Sequence, residues 1–183
     1  MTKSCLVIHP KDDSTQFLDI VYNPIPNKTI ITGGVTKKEV NDLIETHDRV
    51  VMCGHGSPFG LFSVGQFKQT VGYIIDSYSV NVLKEKDNSI FIWCNADRFV
   101  SRYNLKGFYS GMFISEVQEA DWCRVFADQE IVDESNYGFC NLLSECINEP
   151  IDVLYETIMG EYGKIAKTNP VAKYNHDRLY LLV

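Results

Sequence analysis

The chain has 183 residues, 45% of them hydrophobic, and a net charge of −7 at pH 7. That length and apolar content fit a single domain over residues 1–183 with a sizeable core. The negative charge and the lack of a Lys/Arg cluster argue against nucleic acid as a partner, and no run approaches the roughly 20 apolar residues of a membrane-spanning helix.

The apolar part of Met1–His9 is too short for a signal peptide, so a cytoplasmic location is expected. The six cysteines are expected to be free thiols, because the chain is long enough to hold itself together without disulfides. No C-x-x-C, Walker or Gly-x-Gly-x-x-Gly sequence occurs and no metal-ligand spacing is visible, so no cofactor and no metal are expected.

Cys5–Ile8 reads as a short strand, and Asp12-Asp13-Ser14-Thr15 supplies helix-capping chemistry for Phe17, Ile20 and Val21. Thr29–Thr32 reads as a second strand. Thr36-Lys37-Lys38-Glu39 is a capping box for a helix carrying Val40, Leu43, Ile44 and His47. The run Val50-Val51-Met52-Cys53-Gly54-His55 is a third strand, apolar throughout and ending at a histidine between two glycines. Ser57–Lys68 reads as a loop over the sheet edge with room for a short strand, and Val71, Ile74, Ile75, Tyr78 and Val82 as a helical stripe. Ser89–Trp93 is a fourth strand ending at Cys94. Arg98–Ser110 reads as an ordered loop and Gly111–Ser115 as a fifth strand ending at Glu116.

Further on, Phe139, Leu142, Leu143 and Cys146 mark a helix capped by Asp133 or Ser135, and Asn148-Glu149-Pro150 starts another with Ile151, Leu154, Ile158 and Tyr162 on one face. Leu179–Val183 reads as a last edge strand. Strands alternating with helices define an α/β class. The expected fold is a three-layer α/β/α sandwich on a mostly parallel sheet of about six strands.

In such a sheet, chemistry collects at the carboxyl ends of the strands. His55 and Cys94 then emerge on one edge. A thiol beside an imidazole is an activatable nucleophile. The amides of Gly56 and Cys94 are positioned for a developing oxyanion, since glycine lets a substrate carbonyl come close.

An apolar strand ending in His-Gly, followed by an apolar strand ending in Cys, resembles the caspase-like cysteine peptidases, a group that includes clostripain- and gingipain-type enzymes. The matching pieces are Val50–Ser57 and Ile90–Asn95, with His55 and Cys94 standing 39 positions apart. The resemblance spans residues 5–116 and implies a caspase-like topology. It also implies Cys94 as nucleophile, His55 as general acid/base and a peptide or protein as substrate. It places the pocket for the side chain before the cut near the strand after the cysteine, where Ser115, Glu116, Glu119 and Asp121 stand. Glu116 is the leading residue there, and Asp97 either lines the pocket or caps the next segment. Acidic pocket residues favour a basic side chain at that position. The sequence departs from the family at Trp93, which stands where alanine or serine is common and is expected to turn toward a face of the sheet and crowd the substrate channel. The alternatives are a non-catalytic binding module on the same fold and a cysteine-dependent hydrolase of a non-peptide substrate. Oligomeric state is not legible.

Overall fold

The structure, a computed structural model, describes residues 3–183. Its first strand, β1 (Cys5–Ile8), is buried along its whole length. A 3-10 turn leads into the short α1 (Asp19–Tyr22), and β2 (Lys28–Ile31) follows. The capping box opens α2 (Lys37–Thr46): the Thr36 side chain accepts from the Glu39 amide, and the Glu39 carboxylate accepts from the Thr36 amide. After β3 (Arg49–Cys53) comes a small antiparallel sheet, β4 (Gly56–Ser57), β5 (Gly60–Phe62) and β6 (Tyr73–Ile75). Then follow α3 (Val80–Leu83), β7 (Ser89–Ile92), α4 (Ala96–Tyr103) and β8 (Gly107–Ser110). The chain closes with α5 (Val117–Trp122), α6 (Gln129–Cys146), α7 (Ile151–Ile165), α8 (Pro170–His176) and β9 (Leu179–Leu182).

The main sheet has the order β2-β1-β3-β7-β8-β9. Its first five strands run parallel, and β9 is antiparallel to β8. Strand residues alternate between two cores, as the pleat demands. Cys5, Val7, Val51, Cys53, Ile90 and Ile92 face α1, α6, α7 and α8. Leu6, Ile8, Val50, Met52, Phe91 and Trp93 face α2, α3 and α4. Both faces are covered, which is why the strands read as unbroken apolar runs. This is the expected three-layer α/β/α sandwich on a six-stranded, mostly parallel sheet. Among the described residues no helix is long and apolar enough to cross a membrane.

Four local expectations are corrected. Residues 71–82 are not one helix: Tyr73–Ile75 pairs with β5, and only Val80–Leu83 is α-helical there. Residues 98–110 are not a loop but hold most of α4 and all of β8. Residues 111–115 are not a strand. The Ile114 amide donates to Asn175 Oδ1 at 2.7 Å, and Asn175 Nδ2 donates back to the Ile114 carbonyl at 2.9 Å. A side-chain amide thus satisfies the backbone there in place of a strand partner. The cap of α6 is Asp128, whose carboxylate accepts from the Ile131 amide at 3.0 Å, so the helix starts earlier than Asp133 or Ser135 would place it.

His9, at the end of β1, is fully buried. Tyr22 gives its hydroxyl proton to Asp19, so His9 Nδ1–H donates to Tyr22 Oη at 3.0 Å, and Nε2 has no partner among the described residues. Burial outweighs the attraction of Asp19 and pushes the imidazole down to about 4. The unfolded chain binds that proton near pH 6.5 and the folded chain does not. Stability is therefore unaffected by His9 above pH 6.5 and falls as the pH drops from there toward 4, by up to about 3 kcal/mol. Urea midpoints at pH 7, 5.5 and 4.5 check this. His9→Gln is expected to flatten the decline, and an equally steep decline in that variant would refute the assignment.

Candidate functional site

The strand-end geometry brings His55 and Cys94 to the same edge. β3 and β7 are adjacent and parallel, with Cys53 paired to Ile92. Each chemical residue lies two positions past its strand. Both line one cavity of about 440 Å³, together with Gly56, Glu119 and the β5 side at Phe62 and Ser63.

Cys94 sits on a strand–turn–helix corner. Asn95 takes the left-handed conformation (φ 65°), its amide donates to the Gly111 carbonyl at 3.0 Å, and α4 begins at Ala96. Asparagine tolerates that conformation better than most residues. The Cys94 thiol donates to the Phe113 carbonyl at 3.3 Å and lies 3.8 Å from Glu119 Oε1. Burial and the adjacent Glu119 carboxylate push it up to about 12, so it rests as a thiol. Glu119 is itself fixed: its Oε2 accepts from the Ser115 amide at 2.7 Å and from Ser115 Oγ at 3.0 Å.

His55 is oriented by the loop after β1. Ser14 Oγ donates to Asp12 Oδ1 at 2.9 Å, which spends its one proton. His55 Nε2–H therefore donates to Ser14 Oγ at 2.8 Å, with Asp12 Oδ2 at 3.2 Å. That tautomer leaves Nδ1 as the ring's proton acceptor. Partial burial raises the Asp12 carboxyl, but the bonds from Ser14 and Thr15 and the nearby His55 hold it below its usual value. A base held through its far nitrogen by a carboxylate and a hydroxyl is a recurring arrangement in nucleophilic sites. From the sequence, capping is preferred for Asp12 over polarising a neighbour, and the structure sets its carboxylate against His55 as well. That contact has no local signal, since Asp12 and His55 meet only through the fold. Among the described residues no hydrogen bond joins Cys94 to His55.

The two amides expected to face an oxyanion are placed as follows. The Phe62 amide donates to the His55 carbonyl at 2.8 Å, so positions 55 and 62 form the bonded pair and Gly56 faces Leu61 as a non-bonded pair. The Gly56 N–H thus points away from β5. Among the described residues the Cys94 N–H donates to no backbone carbonyl. Glycine is required at position 56, because a Cβ there would lie 2.2 Å from Trp93 Cδ1 and 2.7 Å from the Gly60 carbonyl. Trp93 does not crowd a channel. It is 2% exposed, packs between Phe91 and Phe99, and its Nε1–H donates to the Ser57 carbonyl at 3.2 Å.

A larger cavity of about 800 Å³ adjoins the first. Ser14, on its wall, is the residue that bonds His55. The turn before α5 divides the two cavities: Ser115 and Glu116 line the larger, Glu119 the smaller. Asp13, Glu116 and Asp133 make the larger wall acidic. Asn136 is 4% exposed and lines it as well; its Nδ2 donates to the Ser115 carbonyl at 2.9 Å, which leaves Oδ1 buried and unpartnered.

Of the other expected pocket residues, Glu116 reaches this wall, but Asp97 and Asp121 reach neither cavity. Asp97 lies in the first turn of α4, where its charge suits the helix N-terminus, and Asp121 is exposed on α5. Among the described residues no group of three or more His, Cys, Asp or Glu side chains is placed to hold a metal ion. No protein-family model matches the chain, and none of the curated proteins compared with it matches.

Proposed function

We propose that the chain is a cysteine peptidase of caspase-like type, with Cys94 as nucleophile and His55 as general acid/base. The observation that carries this is the convergence of Cys94, His55 and Gly56 on one cavity at the carboxyl edge of the sheet. The Asp12–Ser14 contact supports it by leaving His55 Nδ1 free to take a proton. In the reaction, His55 Nδ1 accepts the thiol proton as Sγ attacks the scissile carbonyl, and the Gly56 and Cys94 amides receive the oxyanion. His55 then returns the proton to the leaving amine, and water releases the acyl group. The acidic cavity with Glu116, Asp13 and Asp133 supports a preference for Arg or Lys before the cut.

A second reading is favoured by the thiol's own contacts. Cys94 donates to Phe113 and stays protonated beside Glu119, as in a binding module that holds a cationic group in the acidic cavity without cleaving it.

Intact-mass labelling with an arginyl or lysyl peptidyl ketone separates the readings. The peptidase reading expects one adduct on native protein, none on Cys94→Ala, and labelling slowed by about a hundredfold or more in His55→Ala. A small alkylating agent that modifies Cys94 while the ketone does not would point to a non-peptide substrate. A Cys94 inert to both reagents in the folded protein would leave the binding module.

A further inference from the structure

α5 ends in a tight reversal that sorts its side chains into two sets. The Val125 amide donates to the Ala120 carbonyl at 2.8 Å and the Arg124 amide to the Asp121 carbonyl at 3.0 Å, with Arg124 in the left-handed conformation (φ 58°). This pairing turns Ala120 and Val125 into a small core with Ile114, Val132 and Val171. Trp122 and Phe126 are left in solvent at 75% and 94% exposure, the two most exposed aromatic side chains among the described residues. One exposed aromatic is ordinary. Two on a single reversal, with no part in the core, are the residue types that anchor protein interfaces.

The aromatics extend the wall of the 800 Å³ cavity. Gln118 lines that cavity from the start of α5, and Trp122 lies one turn further along the same face. Gln129, three residues after Phe126, and the half-exposed Tyr137 line it from α6. Charge decides what this surface accepts. Residues 116–134 carry seven carboxylates and one cation, Arg124. Among the described residues none of the seven is in an ion pair with Lys, Arg or His. Such a field repels nucleic acid and anionic lipid and attracts cations.

We propose that Trp122 and Phe126, with the carboxylates around them, form a docking surface for a basic segment of another protein, one in which Arg or Lys alternates with aliphatic residues. The rings cover the aliphatic side chains and stack on the guanidinium planes, and Asp121, Asp128 and Glu130 meet the remaining charge. The segment runs on past Tyr137 toward the acidic cavity. The surface lies outside the cavity of Cys94 and His55 and goes beyond the peptidase reading, because it holds such a segment whether or not Cys94 cleaves it.

The test titrates the full chain, native and as Cys94→Ala, with a short peptide alternating Arg and Leu, and follows tryptophan emission. Trp93 is buried, so a saturable blue shift reports Trp122. The expected result is that shift in both proteins, its loss in Trp122→Ser, and an affinity that falls as salt rises. Trp122→Ser and Phe126→Ser are each expected to weaken binding by about tenfold, measured by anisotropy of the labelled peptide, and Glu130→Gln by about twofold. Both aromatic variants are expected to keep the native Tm, because neither ring packs in the core. Emission unmoved by the peptide, or an affinity unchanged in Trp122→Ser and Phe126→Ser, would overturn the proposal. So would equal affinity for a peptide with Ser in place of Leu, which would reduce the surface to bare charge. Self-association of the chain alone, seen by sedimentation and lost in Trp122→Ser, would give the aromatics to a second copy instead. Because Cys94→Ala binds without cleaving, failure of the docking surface is distinct from failure of the peptidase reading.

Discussion

Trp93→Ala is expected to lower stability by about 3–5 kcal/mol, the range for emptying a large buried aromatic site. Trp93 is 2% exposed and touches Phe91, Phe99 and the backbone of Gly56. Its indole also anchors β4 through the Ser57 carbonyl. The variant therefore loses core packing and the mooring of the small sheet that carries Gly56. Trp93→Phe keeps most of the ring and loses the hydrogen bond, for about 1–3 kcal/mol, since the Ser57 carbonyl is left without that donor. Urea unfolding at pH 7 measures both. A loss below 1 kcal/mol for Trp93→Ala, with faster peptidyl-ketone labelling, would instead mean that the indole obstructs a channel.

Glu119→Gln is expected to speed alkylation of Cys94. Burial is the larger cause of the raised thiol and stays in place, so the pKa falls only in part. Each unit it falls multiplies the thiolate at pH 7 about tenfold, and the weaker nucleophilicity of a more acidic thiol takes back about threefold. The net expectation is a rate about threefold to tenfold higher. Glutamine still offers an oxygen to Ser115, so the turn before α5 is preserved. Iodoacetamide labelling followed by intact mass measures it, with Tm as a check on folding. An unchanged or slower rate would show that Glu119 does not hold the proton on Cys94.

Several elements were legible because local chemistry and tertiary packing agree. β1, β3 and β7 are unbroken apolar runs because helices cover both faces of the sheet. The Thr36–Glu39 capping box is contained within four residues and needs nothing distant. β6 was misread because Val71, Ile74, Ile75, Tyr78 and Val82 share a helical spacing, while Tyr73–Ile75 has its hydrogen-bond partner in β5. β8 was hidden because Gly107-Phe108-Tyr109-Ser110 mixes small, aromatic and polar residues, although all four are buried between β7 and β9.

For the site, the sequence alone determined that a Gly-His-Gly turn and a cysteine each close an apolar strand, and that acidic residues follow. Those are properties of short contiguous stretches, governed by side-chain type and backbone freedom. Only the tertiary structure decided which groups meet. It set Asp12 and Ser14 against His55 Nε2, brought Glu119 rather than Asp97 or Asp121 beside Cys94, and turned Trp93 inward under Gly56. Charge pairing and hydrogen bonding act over a few ångströms in space, between residues up to 124 positions apart in the chain, as between Pro24 and Asn148. No local pattern in the sequence encodes such a distance.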